Sequence, residues 1–73
     1  MKRSFYHYMM RYRGDLREGE EKELADWMFR EHSFPKQATT YDEISDYLEF
    51  HSPFPGSLAT FDQLYEYYVE EEG

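Results

Sequence analysis

Residues 40–50 carry the sequence Thr-Tyr-Asp-Glu-Ile-Ser-Asp-Tyr-Leu-Glu-Phe, which predicts an amphipathic helix with its own start signal. Thr40 and Glu43 have the spacing of a capping box, in which each side chain bonds the backbone N–H of the other residue. Apolar residues follow at the three- and four-residue spacing of one helix face. They are Tyr41, Ile44, Tyr47 and Leu48. The pattern predicts a helix over residues 41–50.

Similar signals predict two further helices, one near the start of the chain over residues 4–13 and one near its end over residues 61–71. Ser4 is a favourable N-cap for the first of these, and Gly14 suits the position just beyond its end. Thr60 and Gln63 repeat the capping box before the last helix. The two apolar faces comprise Phe5, Tyr8, Met9 and Tyr12 in one helix, and Phe61, Leu64, Tyr65 and Tyr68 in the other.

A fourth helix is predicted over residues 20–32, with Leu24, Ala25 and Met28 on its apolar face. The periodicity does not choose cleanly between Trp27 and Phe29 as a further core residue. We expect Phe29 inside and Trp27 at the rim. Pro35 ends this segment, and we expect Phe34 to fold back into the core from the loop.

No stretch alternates as a strand would, so the predicted fold is all-α: a small single-domain bundle of four main short helices over residues 1–73. Residues 70–73 are expected to fray, because three consecutive Glu residues oppose the negative end of the helix dipole. The core must be aromatic. Only 13 of the 73 residues are Leu, Ile, Val or Phe, whereas Phe, Trp and Tyr make up 21% of the chain.

The charge of the chain is unevenly distributed. Sixteen acidic and eight basic residues give a net charge of -8. Residues 1–36 hold every Lys and Arg and net +1, residues 37–73 hold nine acids and no Lys or Arg, and residues 1–17 net +4. The molecule is therefore expected to be an electrical dipole with a basic first helix. Non-specific nucleic-acid binding by the whole surface is disfavoured, since most of it would repel phosphates.

Catalytic and metal chemistry find no support in the sequence. There is no Cys, and His7, His32 and His51 are not spaced as a zinc set. Asp42, Asp46 and Glu49 share a helix face on which a solvated acidic surface is expected. No phosphate-binding loop or nucleophile motif occurs, so we predict a non-enzyme without cofactor, metal or catalytic residues. Neither a signal peptide nor an apolar membrane span is present, which favours a cytoplasmic protein without membrane partners.

The candidate functional surface is the basic, tyrosine-rich first helix with neighbouring exposed aromatics. Tyr and Arg are common at interface hot spots, so a protein partner is expected. Nucleic-acid binding through the cations of the basic first helix, and head-to-tail self-association of the dipole, are the alternatives. The candidate residues are Lys2, Arg3, Tyr6, His7, Met10, Arg11, Arg13, Arg17, Trp27 and Tyr67.

Several short motifs together resemble the YozE family of small bacterial proteins. They are Ser4-Phe5-Tyr6, Tyr12-Arg13, His32-Ser33-Phe34-Pro35-Lys36, Tyr41-Asp42-Glu43-Ile44-Ser45-Asp46-Tyr47-Leu48-Glu49 and Ala59-Thr60-Phe61-Asp62. The resemblance covers nearly the whole chain. It implies a SAM-like bundle of short helices from a low-GC Gram-positive bacterium. The role of that family is uncharacterised, so the resemblance implies no catalytic or binding residues.

Overall fold

A computed structural model describes residues 3–14 and 19–72 of the chain. Four α-helices follow one another, and no strand occurs in these two ranges, which confirms the all-α prediction. They are α1 (Phe5–Met9), α2 (Glu20–Arg30), α3 (Tyr41–Phe50) and α4 (Ser57–Glu72), with a 3-10 segment (Met10–Gly14) directly after α1. None of the described helices is long and apolar enough to span a lipid bilayer.

Helix α1 begins as predicted but ends early. The Ser4 side-chain oxygen accepts the His7 backbone N–H at 3.1 Å, which confirms the N-cap. The chain then tightens at Met10, whose N–H bonds to carbonyls of the preceding turn. Because 3-10 bonds satisfy these carbonyls, no left-handed glycine is needed. Gly14 accordingly lacks a positive φ, so its predicted role as a helix C-terminal glycine is wrong.

Helix α2 ends at Arg30, and its outward face differs from the prediction. Phe29 is 50% exposed rather than buried, while Trp27 is half-buried. The loop after α2 decides this: Phe34 folds back, is only 4% exposed as predicted, and packs edge-on against Trp27 at 6.1 Å. On the Phe29 side the neighbour is the Arg13 guanidinium, 3.6 Å from the ring centroid. This cation–π contact leaves the Phe29 ring outside the core.

The two predicted capping boxes behave differently. Helix α3 starts after Thr40, but the threonine hydroxyl donates to the Glu43 carboxylate at 3.0 Å instead of capping a backbone N–H. Helix α4 starts at Ser57, so Thr60 is interior and its predicted capping role is wrong. The early start follows from Gly56, whose positive φ turns the chain out of the preceding proline-rich loop. Glycine adopts this left-handed conformation without steric cost.

The C-terminal end of α4 packs on the N-terminal segment of the chain. Glu72 accepts the Arg3 backbone N–H at 3.2 Å, and Glu71 pairs with Arg11 at 2.8 Å. The helix extends to Glu72, and fraying of its last turn in solution stays a prediction.

Phe5 lies at the centre of an aromatic core. Its ring packs edge-on against Phe61 with centroids 5.2 Å apart. It packs in the same way against Tyr68 at 5.5 Å, and it also contacts Tyr8 and Tyr65. Edge-on packing of this kind is favoured by the ring quadrupoles. The Tyr68 hydroxyl donates to the Arg3 carbonyl oxygen, so the phenol is buried with its polar end satisfied.

The rest of the core surrounds this aromatic centre and draws on all four helices and the loop after α2. The buried apolar residues are Phe5, Tyr8, Met9, Leu24, Ala25, Met28, Phe34, Ala38, Ile44, Leu48, Phe61, Leu64 and Tyr68.

Candidate functional site

The most exposed large apolar side chain of the described residues belongs to Phe50, at the C-terminal end of α3, and 84% of it is accessible. It borders a cleft of about 450 Å³ between α3 and the loop that follows α2. We call this the Phe50 cleft. It is lined by Ser33, Pro35, Glu43, Asp46, Tyr47, Phe50 and His51. Single exposed apolar side chains are common on protein surfaces. Phe50 differs from the other exposed phenylalanine, Phe29, because it also borders a cleft.

Stacked rings form one wall of the Phe50 cleft. Tyr47 and His51, one turn apart on α3 and its C-cap, stack with centroids 4.4 Å apart and planes inclined by 24°. The Tyr47 hydroxyl lies 2.5 Å from the Ser33 hydroxyl, which links α3 to the loop. Behind Tyr47, Phe34 and Trp27 pack at 5.4 and 6.0 Å. The wall is therefore continuous with the core.

The polar lining of the Phe50 cleft is acidic. Glu43 and Asp46 line it together with Phe50, and their spacings of three and four residues place all three on one face of α3. No Lys or Arg occurs in residues 37–73, and Asp46 has no ion-pair partner within the described part of the chain. The site thus combines apolar surface with uncompensated negative charge.

Sequence reasoning missed Phe50. The apolar stripe of α3 already accounted for four residues, and Phe50 falls outside it. Its position in the helical repeat was the available signal. Phe50 lies on the polar face of an amphipathic helix, on the same side as Glu43 and Asp46, where it cannot be buried in the core.

Two of the four arginines of the predicted basic surface, Arg11 and Arg13, form ion pairs in the fold. Arg11 pairs with Glu71 of α4 at 2.8 Å and lies over the Tyr8 ring at 4.3 Å. Arg13 bonds Asp26 of α2 at 3.3 Å. The basic first helix and the acidic last helix therefore meet within one molecule. Two other predicted residues, Lys2 and Arg17, lie outside the described residues.

The aromatic members of that predicted surface separate into two places. Tyr6 and Trp27 both pack against Phe34, at 6.2 and 6.1 Å. Tyr67 lies on α4, where its hydroxyl accepts from the Gln63 amide at 2.9 Å. Met10 is half-buried at the start of the 3-10 segment. The ten predicted residues do not form one patch.

A second cleft, of about 430 Å³, is lined by two other basic residues of the predicted surface, Arg3 and His7. We call it the Lys36 cleft. Its lining residues are Arg3, Ser4, Tyr6, His7, Lys36, Gln37 and Thr39. Lys36 comes from the loop after α2, and its ammonium lies 5.6 Å from the Tyr6 ring centroid.

Neither cleft has the groups of a metal centre. Among residues 3–14 and 19–72, no three His, Asp or Glu side chains are placed to hold a metal ion. The tyrosines whose pKa is raised lie in the core or at its edge. Burial raises the pKa of Tyr8, Tyr65 and Tyr68, whereas the hydrogen bond to Asp62 is the main cause of the raised pKa of Tyr41. These phenols stay protonated near neutral pH.

Comparison with known proteins agrees with this architecture of a small all-α bundle. The chain matches the family described as the YozE SAM-like fold over residues 4–70. It is 55% identical over 49 residues to a UPF0346 protein of Oceanobacillus iheyensis, and the match covers 67% of this chain and 65% of that relative. The match thus spans slightly less than two thirds of the relative's length.

UPF0346 proteins of Bacillus cereus and Bacillus anthracis are also 55% identical over 49 residues, which cover 67% of this chain and 69% of each relative. The fold defines a SAM-like helical protein. The chain belongs to the YozE SAM-like family, as its sequence motifs predicted. The names of these relatives state no activity.

Proposed function

We propose that this protein is a non-enzymatic, cytosolic protein-interaction module that binds a cationic segment of a partner protein in the Phe50 cleft. The observation that carries the proposal is Phe50 itself, 84% exposed beside an ordered aromatic wall. Burying a Phe side chain is worth about 1.5–3 kcal/mol, so a partner that covered it would gain roughly ten-fold or more in affinity.

The aromatic wall supports binding at low entropic cost. Tyr47 is fixed by its contacts with His51, Phe34 and Ser33, so little side-chain freedom remains to be lost on association. Interface hot spots favour such rigid aromatic groups. An apolar anchor of the partner would pack between Phe50 and this wall.

Charge complementarity defines the partner further. Glu43 and Asp46 line the cleft, and Glu49 is exposed on the same helix. A segment with Lys or Arg beside its apolar anchor would meet these carboxylates, whereas an acidic segment would be repelled. The occupant we assign is therefore a peptide segment with one large apolar residue flanked by basic residues.

The experiment is selection from a random peptide display library on the purified chain, followed by affinity measurement by fluorescence anisotropy. We expect enriched peptides to carry an aromatic or aliphatic residue next to Lys or Arg. Phe50→Ala should weaken them by about ten-fold or more. Phe29→Ala is the matched control, because Phe29 is a half-exposed phenylalanine outside the cleft.

Charge reversal tests the partner chemistry separately. Asp46→Lys should weaken binding of the basic peptides and favour acidic counterparts of the same anchor. The proposal is wrong if no peptide is enriched, or if Phe50→Ala and Phe29→Ala reduce the affinity equally.

A further inference from the structure

The cations of this acidic protein fall into two groups. Six Lys and Arg residues lie in the described ranges, and three of them are paired with carboxylates: Arg11, Arg13 and Lys22. The side chains of the other three, Arg3, Arg30 and Lys36, form no ion pair with a described carboxylate. Two of these three line the Lys36 cleft.

The fold itself brings these cations together from segments that are distant in sequence. The Phe5 backbone N–H donates to the Ala38 carbonyl at 3.1 Å, which holds the loop after α2 against the start of α1. The Tyr65 hydroxyl anchors the same loop from α4 by donating to the Thr39 carbonyl at 2.8 Å. Lys36 is thereby placed in one cleft with Arg3 and His7.

Among the described residues, no carboxylate lines this cleft, although acidic residues outnumber basic ones 16 to 8 in the chain. The Glu72 carboxylate accepts the Arg3 backbone N–H but does not line the cleft. Like charges repel, and an anion within the cleft would reduce that repulsion. The hydroxyls of Ser4 and Thr39 and the amide of Gln37 add hydrogen-bond donors. Guanidinium and ammonium groups with such donors are suited to phosphate oxygens.

We propose that the Lys36 cleft binds the phosphate group of a small phosphorylated molecule, independently of the Phe50 cleft. The volume of about 430 Å³ exceeds the needs of a bare phosphate and is typical of a small-molecule site. The half-buried Tyr6 ring, which also lines the cleft, offers a surface for the organic part of the ligand.

The test is a titration of the isotope-labelled chain with pyrophosphate and with phenyl phosphate at constant ionic strength. Changes in the amide NMR chemical shifts report binding. Sodium chloride is the reference anion. We expect saturable shifts confined to residues 3–7 and 36–39, with phenyl phosphate binding more tightly because of Tyr6. Lys36→Gln should weaken binding about three- to five-fold, as expected for one exposed charge pair.

Arg30→Gln is the matched control, since it removes a cation that lies outside the cleft and has no described carboxylate partner. It should leave the affinity unchanged, while Arg3→Gln should weaken binding as Lys36→Gln does. The same spectra report whether each variant is folded. Equal losses in Lys36→Gln and Arg30→Gln, shifts that never saturate, or tighter binding of a single-stranded oligonucleotide than of phenyl phosphate would each overturn the assignment.

Discussion

Arg11 and Glu71 form an ion pair of 2.8 Å between the N-terminal and C-terminal helical segments, sixty residues apart in sequence. The pair shows how the uneven charge of the chain is arranged in three dimensions. The basic segment and the acidic tail lie against one another, so part of the positive charge that dominates the start of the sequence is paired within the molecule.

We expect this pair to order the end of α4 rather than to determine global stability. Both side chains are close to half exposed, at 45% and 46%, and exposed pairs contribute about 0–1 kcal/mol. Glu71→Gln should accelerate amide hydrogen exchange in the last turn of α4. A double-mutant cycle with Arg11→Gln should give a coupling energy that shrinks at high salt. A coupling that salt leaves unchanged would contradict this view.

Phe5, which is buried, and Phe50, which is exposed, should respond differently to truncation. Phe5 contacts four other rings in the core. Phe5→Ala is therefore expected to lower the free energy of unfolding by about 3–5 kcal/mol. Phe50→Ala should change it by only a small fraction of that amount, because the side chain is mostly solvated. Urea denaturation measures both. A large loss for Phe50→Ala would mean that Phe50 supports the fold, against the proposed binding role.

The free energy of unfolding should fall at alkaline pH because three tyrosines packed in or against the core ionise. Burial raises the pKa of Tyr8, Tyr65 and Tyr68 in the folded protein, above the value of about 10 expected in the unfolded chain. Above that pH the unfolded state loses protons that the folded state keeps, so the free energy of unfolding decreases as pH rises. Below it the contribution is complete and constant.

Tyrosinate absorbance during a pH titration checks this expectation. We expect the phenols of Tyr8, Tyr65 and Tyr68 to ionise only as the helical circular dichroism is lost. Tyr68→Phe is a useful comparison, since it keeps the ring and removes the titrating group. Ionisation of all eight tyrosines of the chain while the helices persist would disprove the linkage.

Nucleic-acid binding through the first helix should be weak, and its affinity should depend only weakly on salt concentration. Five phosphate contacts would give a slope of about -4 to -5 in log affinity against log salt on duplex DNA. Glu71 and Asp26 hold Arg11 and Arg13, so we expect a slope no steeper than about -3. An electrophoretic shift series at several salt concentrations measures it, and a slope near that of five contacts would favour the nucleic-acid alternative.

The helices and most of the core were accessible from the sequence because the signals are local. Ser4 caps α1 through a residue three positions away. The three- and four-residue spacing of Phe61, Leu64 and Tyr68 correctly identified one buried face.

Local signals failed where a tertiary neighbour or a loop conformation intervened. Phe34 gives Trp27 a partner that Phe29 lacks, so the packing of the loop decides which ring of α2 is sheltered. Because the chain turns at Gly56, α4 begins at Ser57 rather than after the predicted N-cap Thr60.

The sequence by itself determined an all-α bundle with an aromatic core, a net charge of -8 and the family to which the chain belongs. Only the tertiary structure decided which charges remain without a partner among the described residues and which aromatic side chain stays in solvent. Periodicity and capping act within one helical turn, whereas ion pairs and clefts depend on contacts between distant segments. Lys36 and Arg3 line one cleft, and Arg11 pairs with Glu71, only after the helices have packed.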